Sequence, residues 1–91
     1  MNIDEKLIED MMPEVRDSIV LTANDDYIDI INKKIIENFG AIYDAVTEIE
    51  LGNNDTYKKV KLLVAKQECY KMLREAYLNN DIKSIGVKLR G

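Results

Sequence analysis

A single apolar repeat through the middle of the chain restricts this 91-residue sequence to a helical fold. Between positions 28 and 49, apolar residues recur at intervals of three and four, the spacing that places side chains on one face of an α-helix. The members of the repeat are Ile28, Ile31, Ile35, Phe39, Ile42, Val46 and Ile49. Because the phase continues through Gly40, the repeat predicts one long helix over about residues 25–50. The missing side chain of Gly40 would let another helix approach closely at that point.

The first segment carries a second apolar pattern, between residues 3 and 20, which also has steps of three and four. Pro13 interrupts it, and a proline disfavours helical geometry at the residue before it, here Met12. The pattern therefore predicts a break near residue 12, with a short helix over about residues 4–11 and another over about 13–22.

Polar residues and a glycine mark the ends of the remaining helix. Asn24, Asp25 and Asp26 can each cap the long helix, and Gly52 is a typical helix stop. Asn53, Asn54 and Asp55 then supply a turn and the next cap, so a last helix is expected over about residues 55–78. Its apolar positions, with Gln67 among them, are Tyr57, Val60, Leu63, Val64, Tyr70, Leu73 and Tyr77.

The residues after Ile82 change to a period of two, with Ile85, Val87 and Leu89 alternating with small or basic residues. This alternation is typical of a strand, and the chain offers it no evident strand partner. Such a segment must pair with another chain, lie across the bundle or stay loose. The candidate partner-binding residues are therefore Ile82, Lys83, Ile85, Val87, Lys88, Leu89 and Arg90.

These elements together predict an all-α protein, a small bundle of three to four helices with an extended C-terminal arm. The bundle domain is expected over residues 1–81 and the arm over residues 82–91. The predicted core consists of Ile28, Ile31, Ile35, Phe39, Ile42, Val46, Val60, Leu63, Val64 and Leu73.

Charge argues against a general nucleic-acid coat, because the net charge is −4 and phosphate contacts need surplus lysine and arginine. The charge is uneven, with −6 over residues 1–26 and +2 over residues 81–91. The two ends could meet between neighbouring copies, or they could simply be solvated faces. Residues 57–78 carry +4 and three tyrosines, which could stack on bases, although packing in a core or an interface fits their apolar positions better.

Residues suited to catalysis or metal binding are scarce. The chain has no histidine, its one cysteine, Cys69, lies in a half-apolar helix, and its glycines form no phosphate-binding loop. We therefore expect Cys69 to be a packed thiol, and the protein to be a non-enzyme without metal or cofactor. A single cysteine suits a reducing compartment. The N-terminus shows no secretory pattern and no apolar run is long enough to cross a membrane, so synthesis in the cytoplasm is expected.

Five tyrosines and four methionines favour a contact surface, because both residue types suit irregular protein interfaces. They could equally serve a small core. The expected function is thus binding to other proteins.

The order of elements resembles the head–tail connector (adaptor) proteins of long-tailed bacteriophages. The matching stretches are Asp25-Asp26-Tyr27-Ile28 at the start of the long helix, Val60-Lys61-Leu62-Leu63-Val64-Ala65 and Leu73-Arg74-Glu75 in the last helix, and Ile82-Lys83-Ser84-Ile85-Gly86 in the tail. The resemblance covers residues 24–90 and leaves the first segment unmatched.

The resemblance implies a virion protein, made in a bacterial cytoplasm, that forms a homo-oligomeric ring beneath the portal and gives the tail a docking surface. Its partners would be portal and tail proteins, with no membrane and with DNA at most passing through the channel. Two alternatives come from other functional classes. One is a small helical regulatory protein that binds and masks a partner protein, and the other is a DNA-binding regulator.

Overall fold

Three helices make up most of the structure, and the last of them contacts both of the others. The computed structural model describes residues 5–22, 24–52, 55–80 and 88–90. Its helices are α1 (Glu5–Ser18), α2 (Tyr27–Glu50) and α3 (Thr56–Leu78), and its two short strands are β1 (Val20–Thr22) and β2 (Lys88–Arg90). The prediction of an all-α bundle of three to four helices is confirmed.

Helix α1 continues through Pro13, so the predicted break near residue 12 is wrong. Proline removes one backbone donor, which leaves the carbonyl of Glu9 without its helical partner. Both Glu9 and Pro13 are exposed, so water can bond that carbonyl. Burial of Ile8 before the proline and of Val15 after it keeps both halves of the helix on one apolar face.

The second predicted helix, over residues 13–22, is also wrong, because α1 ends at Ser18 and the chain becomes extended at Val20. The Ser18 hydroxyl donates a hydrogen bond of 2.6 Å to the carbonyl of Val15 and so competes with further helical pairing. The extended segment Val20–Thr22 is then free to act as β1.

Helix α2 has nearly the predicted bounds of residues 25–50, because its ends are set by local chemistry. The Asp26 side chain accepts a hydrogen bond of 2.9 Å from the backbone N–H of Ile28 and caps the first turn. At the other end Gly52 has a φ of +97°, a left-handed conformation that favours glycine, and its N–H donates to the carbonyl of Ile49.

Helix α3 confirms the predicted helix over residues 55–78, but its start differs from the expected cap. Asp55 makes no side-chain cap hydrogen bond. Instead, the hydroxyl of Thr56 donates a hydrogen bond of 3.1 Å to the Glu48 carboxylate, which ties the beginning of α3 to the end of α2. Asn53 and Asn54 lie outside the described residues.

The largest cluster of buried apolar residues forms where α1 and β1 meet the first turns of α2 and the second half of α3. Its buried members are Ile8, Val15, Ile19, Leu21, Tyr27, Ile31, Ala65, Cys69, Tyr70 and Leu73. At the edge of this cluster, the ring of Tyr27 stacks on the exposed ring of Tyr77 with centroids 4.7 Å apart, which joins the start of α2 to the end of α3.

The core prediction is correct for Ile31 and Leu73, which are buried, and wrong for Phe39 and Val46, which are exposed. The other predicted core residues, Ile28, Ile35, Ile42, Val60, Leu63 and Val64, are half-buried. The predicted core row of α2 is rotated about the helix axis relative to the row of residues that is buried in the structure. The buried positions of α2 are Tyr27, Ile31, Asn38 and Ala45, and this seam includes a polar residue that an apolar repeat leaves out.

Residues Lys88–Arg90, the described part of the predicted arm, have a strand partner in their own chain that the sequence pattern does not indicate. Strand β2 pairs with β1 in parallel, and Val20 lies opposite Lys88, Leu21 opposite Leu89 and Thr22 opposite Arg90. The apolar pattern predicts a helix over residues 13–22 and therefore does not indicate that Val20–Thr22 forms a strand. The candidate binding residues Ile82, Lys83, Ile85 and Val87 lie outside the described residues, so the arm's binding role stays a prediction.

Candidate protein-interaction surface

The far half of the α2–α3 hairpin has no large buried apolar side chain among its described residues. We call residues 36–50 of α2 and 56–64 of α3 the distal hairpin. Its buried residues are Asn38, Ala45 and Thr56, two of them polar and one small. Its other inward apolar residues, such as Ile42 and Leu63, are only half-buried, so the distal hairpin gains less from apolar burial than the core cluster does.

Helix α1 lies against the other half of the hairpin. The thiol of Cys69 on α3 donates a hydrogen bond of 3.5 Å to the carbonyl of Ile8, and Met12 of α1 lies beside Leu73 and Ala76. Residue numbers rise together along the two helices, so α1 runs towards the C-terminal end of α3. These contacts lie beyond the distal hairpin.

Two buried amides join α2 to α3 at the inner end of the distal hairpin. The side-chain nitrogen of Asn38 donates hydrogen bonds of 2.9 Å to the carbonyl of Leu63 and to the side-chain oxygen of Gln67. The nitrogen of Gln67 donates a bond of 3.1 Å to the carbonyl of Ile35. Because these bonds join specific positions on the two helices, they set the register of α2 against α3.

Large apolar side chains of the distal hairpin instead face solvent along one side of α2. Ile36, Phe39, Tyr43 and Val46 are 71%, 65%, 69% and 40% exposed. Their spacing of three, four and three residues places them in one row, which we call the α2 stripe. At the typical area of such side chains, the stripe exposes roughly 500 Å² of apolar-rich surface, within the range of the largest patches on ordinary monomers, which are often functional.

Charge is divided between the two helices of the distal hairpin. Residues 36–50 contain four acids and no basic residue, whereas residues 56–64 of α3 contain three lysines and no acid. The acids are Glu37, Asp44, Glu48 and Glu50, and the lysines are Lys58, Lys59 and Lys61. Among the described residues, none of these side chains forms an ion pair. The helix dipoles disfavour the charges in the terminal turns, which are Glu48 and Glu50 at the C-terminus of α2 and Lys58 and Lys59 at the N-terminus of α3.

Cys69 is a packed thiol, as predicted. It is fully buried, and burial raises the pKa of its thiol, with a further rise from the charge of Glu68. A thiol held in its protonated form is a poor nucleophile. Within the described ranges, no group of three or more Cys, Asp or Glu side chains is placed to hold a metal ion.

The tyrosines proposed as base-stacking groups have separate environments. Tyr70 is buried in the core cluster, Tyr77 stacks on Tyr27, and Tyr57 is exposed at the start of α3. They do not form one stacking platform.

The feature of the sequence that indicates the α2 stripe is the width of the apolar face of α2, because Ile36 and Tyr43 extend that face beyond a single row.

No helix in the described part of the chain is both long and apolar enough to span a membrane. Comparison with models of known protein families, with curated proteins and with solved structures finds no match to this chain.

Proposed function

We propose that the protein is a structural head–tail connector (adaptor) of a phage or phage-like particle, which forms a ring between portal and tail through protein–protein contacts. The observation that carries this proposal is the α2 stripe, a row of large apolar side chains on a half-hairpin that lacks its own apolar core. Exposed apolar rows of this kind are typical of surfaces that other proteins cover.

The residues of the family resemblance occupy positions that support the same proposal. Asp26, which belongs to the acidic turn before the long helix, caps that helix. Arg74, within the matching Leu73-Arg74-Glu75 stretch, donates a hydrogen bond of 2.8 Å to the side-chain oxygen of Asn32. These residues therefore stabilise the α2–α3 hairpin, which lies within residues 24–90, the range that the resemblance covers.

A connector needs contacts that are individually weak and collectively strong. In a closed ring each subunit is held on two sides, so interfaces of modest area suffice once the ring is complete. The stripe has that modest size, and it lies at the end of the hairpin that α1 leaves uncovered.

The experiment is deletion of the gene in the phage or prophage that encodes it, followed by electron microscopy of the particles. We expect DNA-filled heads without tails, and tailed particles after complementation with the wild-type chain. A Phe39→Ser/Tyr43→Ser chain should fail to complement. A Met72→Ser/Leu78→Ser chain, which loses two exposed apolar residues elsewhere, should complement fully. Normal tailed particles without the gene would contradict the proposal.

A small regulatory binder is the second candidate, because the stripe also has the spacing by which one amphipathic helix fits an apolar groove. Fractionation separates the two functions. A connector sediments with purified particles, whereas a regulatory binder is recovered in a soluble complex of fixed stoichiometry.

A further inference from the structure

We infer that strand β1 is a binding site for the strand Lys88–Arg90 of a second copy of this chain, so that neighbouring copies exchange their C-terminal strands when they are concentrated. The structure itself shows which segment β1 accepts, because β2 pairs with it in a parallel register. In the exchanged form the same residue pairs join two chains instead of one. The inference deepens the proposed connector function and rests on it for its biological role.

The acceptor strand β1 is anchored in the core by its own side chains. Ile19, which directly precedes the strand, and Leu21 at its centre are buried members of the core cluster. Val20 between them is exposed, as expected for a strand that packs on the core with one face. Strand β1 therefore keeps its place on the bundle whichever copy supplies the strand beside it.

The donor strand β2 depends on β1 for its place. Among the described elements, its extensive contacts are with β1 alone, whereas α3 packs on both other helices. The ladder joins three residue pairs within the described ranges, and a two-stranded sheet of this length is only marginally stable. The end of the chain can therefore leave β1 without breaking the contacts between the helices.

The segment before β2 is long enough to reach a neighbouring copy. Helix α3 ends at Leu78, and Asn80 after it has a φ of 60°, a left-handed conformation that ends the helix. Residues 81–87 then separate this turn from β2, and a stretch of that length spans at most about 23 Å. Because the two shorter dimensions of the molecule are 26 and 19 Å, such a stretch can deliver β2 to a copy packed beside its own chain.

Exchange costs little because it creates no new kind of contact. An element passed between identical chains forms in its neighbour the contacts that it forms in its own chain. Local concentration then decides between the two forms, and a short flexible connection gives the chain's own strand an effective concentration on the order of 1 mM. We therefore expect closed monomers in dilute protein and exchanged strands where copies are crowded. Copies that each pass the strand to the next form a ring, the arrangement that the proposed connector needs.

The parallel register makes exchange measurable by disulfide trapping. Val20 lies opposite Lys88, and Thr22 lies opposite Arg90. Neighbouring strands are about 4.8 Å apart, within the Cα separation that a disulfide spans. A shift of two residues adds about 6.6 Å along the strand, which puts Val20 and Arg90 beyond that range.

Four full-length chains carry Val20→Cys, Thr22→Cys, Lys88→Cys or Arg90→Cys in a Cys69→Ser background, in which the serine hydroxyl can still donate the buried hydrogen bond of the thiol. They are mixed in pairs at about 1 mM of each chain, to match the effective concentration of the chain's own strand, in a glutathione buffer that lets disulfides form and reverse. A non-reducing denaturing gel measures the linked dimers.

The two matched mixtures pair position 20 with 88 and position 22 with 90, and the two mismatched mixtures pair 20 with 90 and 22 with 88. The matched mixtures should give at least about tenfold more linked dimer than the mismatched ones, which lie outside disulfide reach. Each chain occurs in one matched and one mismatched mixture, so poor folding or high reactivity of a single chain cannot produce this pattern.

Two results would overturn the inference. One is a set of matched mixtures that gives no more linked dimer than the mismatched mixtures. The other is a dilute chain with both Val20→Cys and Lys88→Cys that forms no intrachain disulfide, since β1 would then not bind Lys88–Arg90 at all. Because these readouts use only purified chains, tailless particles remain a separate test of the connector function.

Discussion

The side-chain nitrogen of Asn38 donates a hydrogen bond of 2.9 Å to the side-chain oxygen of Gln67 across the contact between α2 and α3. Both residues are buried, and the second amide returns a bond to the backbone of α2 at Ile35. In most helical hairpins this position holds interlocking apolar side chains. Here the polar pair fixes the register, which leaves the large apolar residues of α2 free to face outward.

The first prediction concerns this amide pair. Asn38→Ala should lower the free energy of unfolding by about 1–3 kcal/mol, because it leaves Gln67 and the Leu63 carbonyl buried without their partner. The double change Asn38→Leu/Gln67→Leu should recover much of that loss, since no buried polar side chain is then left unpaired. Urea unfolding followed by circular dichroism measures both. Additive losses in the double variant would show that the pair does not act as a unit.

The second prediction compares an exposed residue with a buried one in the same helix. Phe39→Ala should change the free energy of unfolding of the monomer by less than about 1 kcal/mol, because the ring faces solvent. Ile31→Ala is the control, and it should cost roughly 2–5 kcal/mol because the side chain is fully buried. Thermal melting of dilute protein gives both values. A large loss at Phe39 would mean that the ring is covered within its own chain.

The third prediction concerns the Tyr27 hydroxyl, which is buried and has no hydrogen-bond partner among the described residues. Burial raises the pKa of Tyr27 from 10.0 to about 12. The unfolded chain therefore ionises first as the pH rises, and stability is lost progressively between pH 10 and 12. Tyr27→Phe should stay within about 1 kcal/mol of wild type at pH 7 and should lose less stability over that alkaline range.

Urea midpoints measured at pH 7, 9, 10 and 11 test this, with Tyr43→Phe as an exposed control that should match wild type. A Tyr27→Phe chain with the same alkaline loss as wild type would assign the loss to other groups.

The fourth prediction concerns Pro13, which lies inside α1 and is exposed. A proline inside a helix costs roughly 3 kcal/mol, partly offset because it also restricts the unfolded chain. Pro13→Ala should therefore raise the free energy of unfolding by about 1–2 kcal/mol, whereas Glu14→Ala should leave it nearly unchanged. A loss of stability in Pro13→Ala would mean that the proline shapes a bend on which the packing of α1 depends.

The sequence correctly predicts the features of the fold that are set by interactions within a few residues. The bounds of α2 and α3 follow from Asp26, Gly52 and the apolar periodicity, all of which act within a few residues. The continuity of α1 through Pro13 and the strand at Val20–Thr22 depend on contacts with distant residues, which periodicity does not report.

The sequence shows the candidate surface as an apolar face but does not distinguish it from core. Periodicity identifies an apolar face of α2 without showing what covers it, so its prediction that Phe39 and Val46 lie in the interior is wrong. The true interior seam passes through Asn38, whose partner Gln67 is 29 positions away in the chain. A polar residue in such a seam is recognisable only once its partner is known.

The most direct test of the central claim is a cross-linking measurement on single-cysteine chains in purified particles. In a Cys69→Ser background, Thr47→Cys lies beside the α2 stripe and Lys71→Cys lies on α3 outside the distal hairpin, and both positions are exposed. A photoactivatable maleimide attached at Thr47→Cys should join the chain to another protein subunit, and the same reagent at Lys71→Cys should do so to a much smaller extent. Absence of the chain from purified particles, or equal cross-linking from the two positions, would contradict the claim that another subunit covers the α2 stripe.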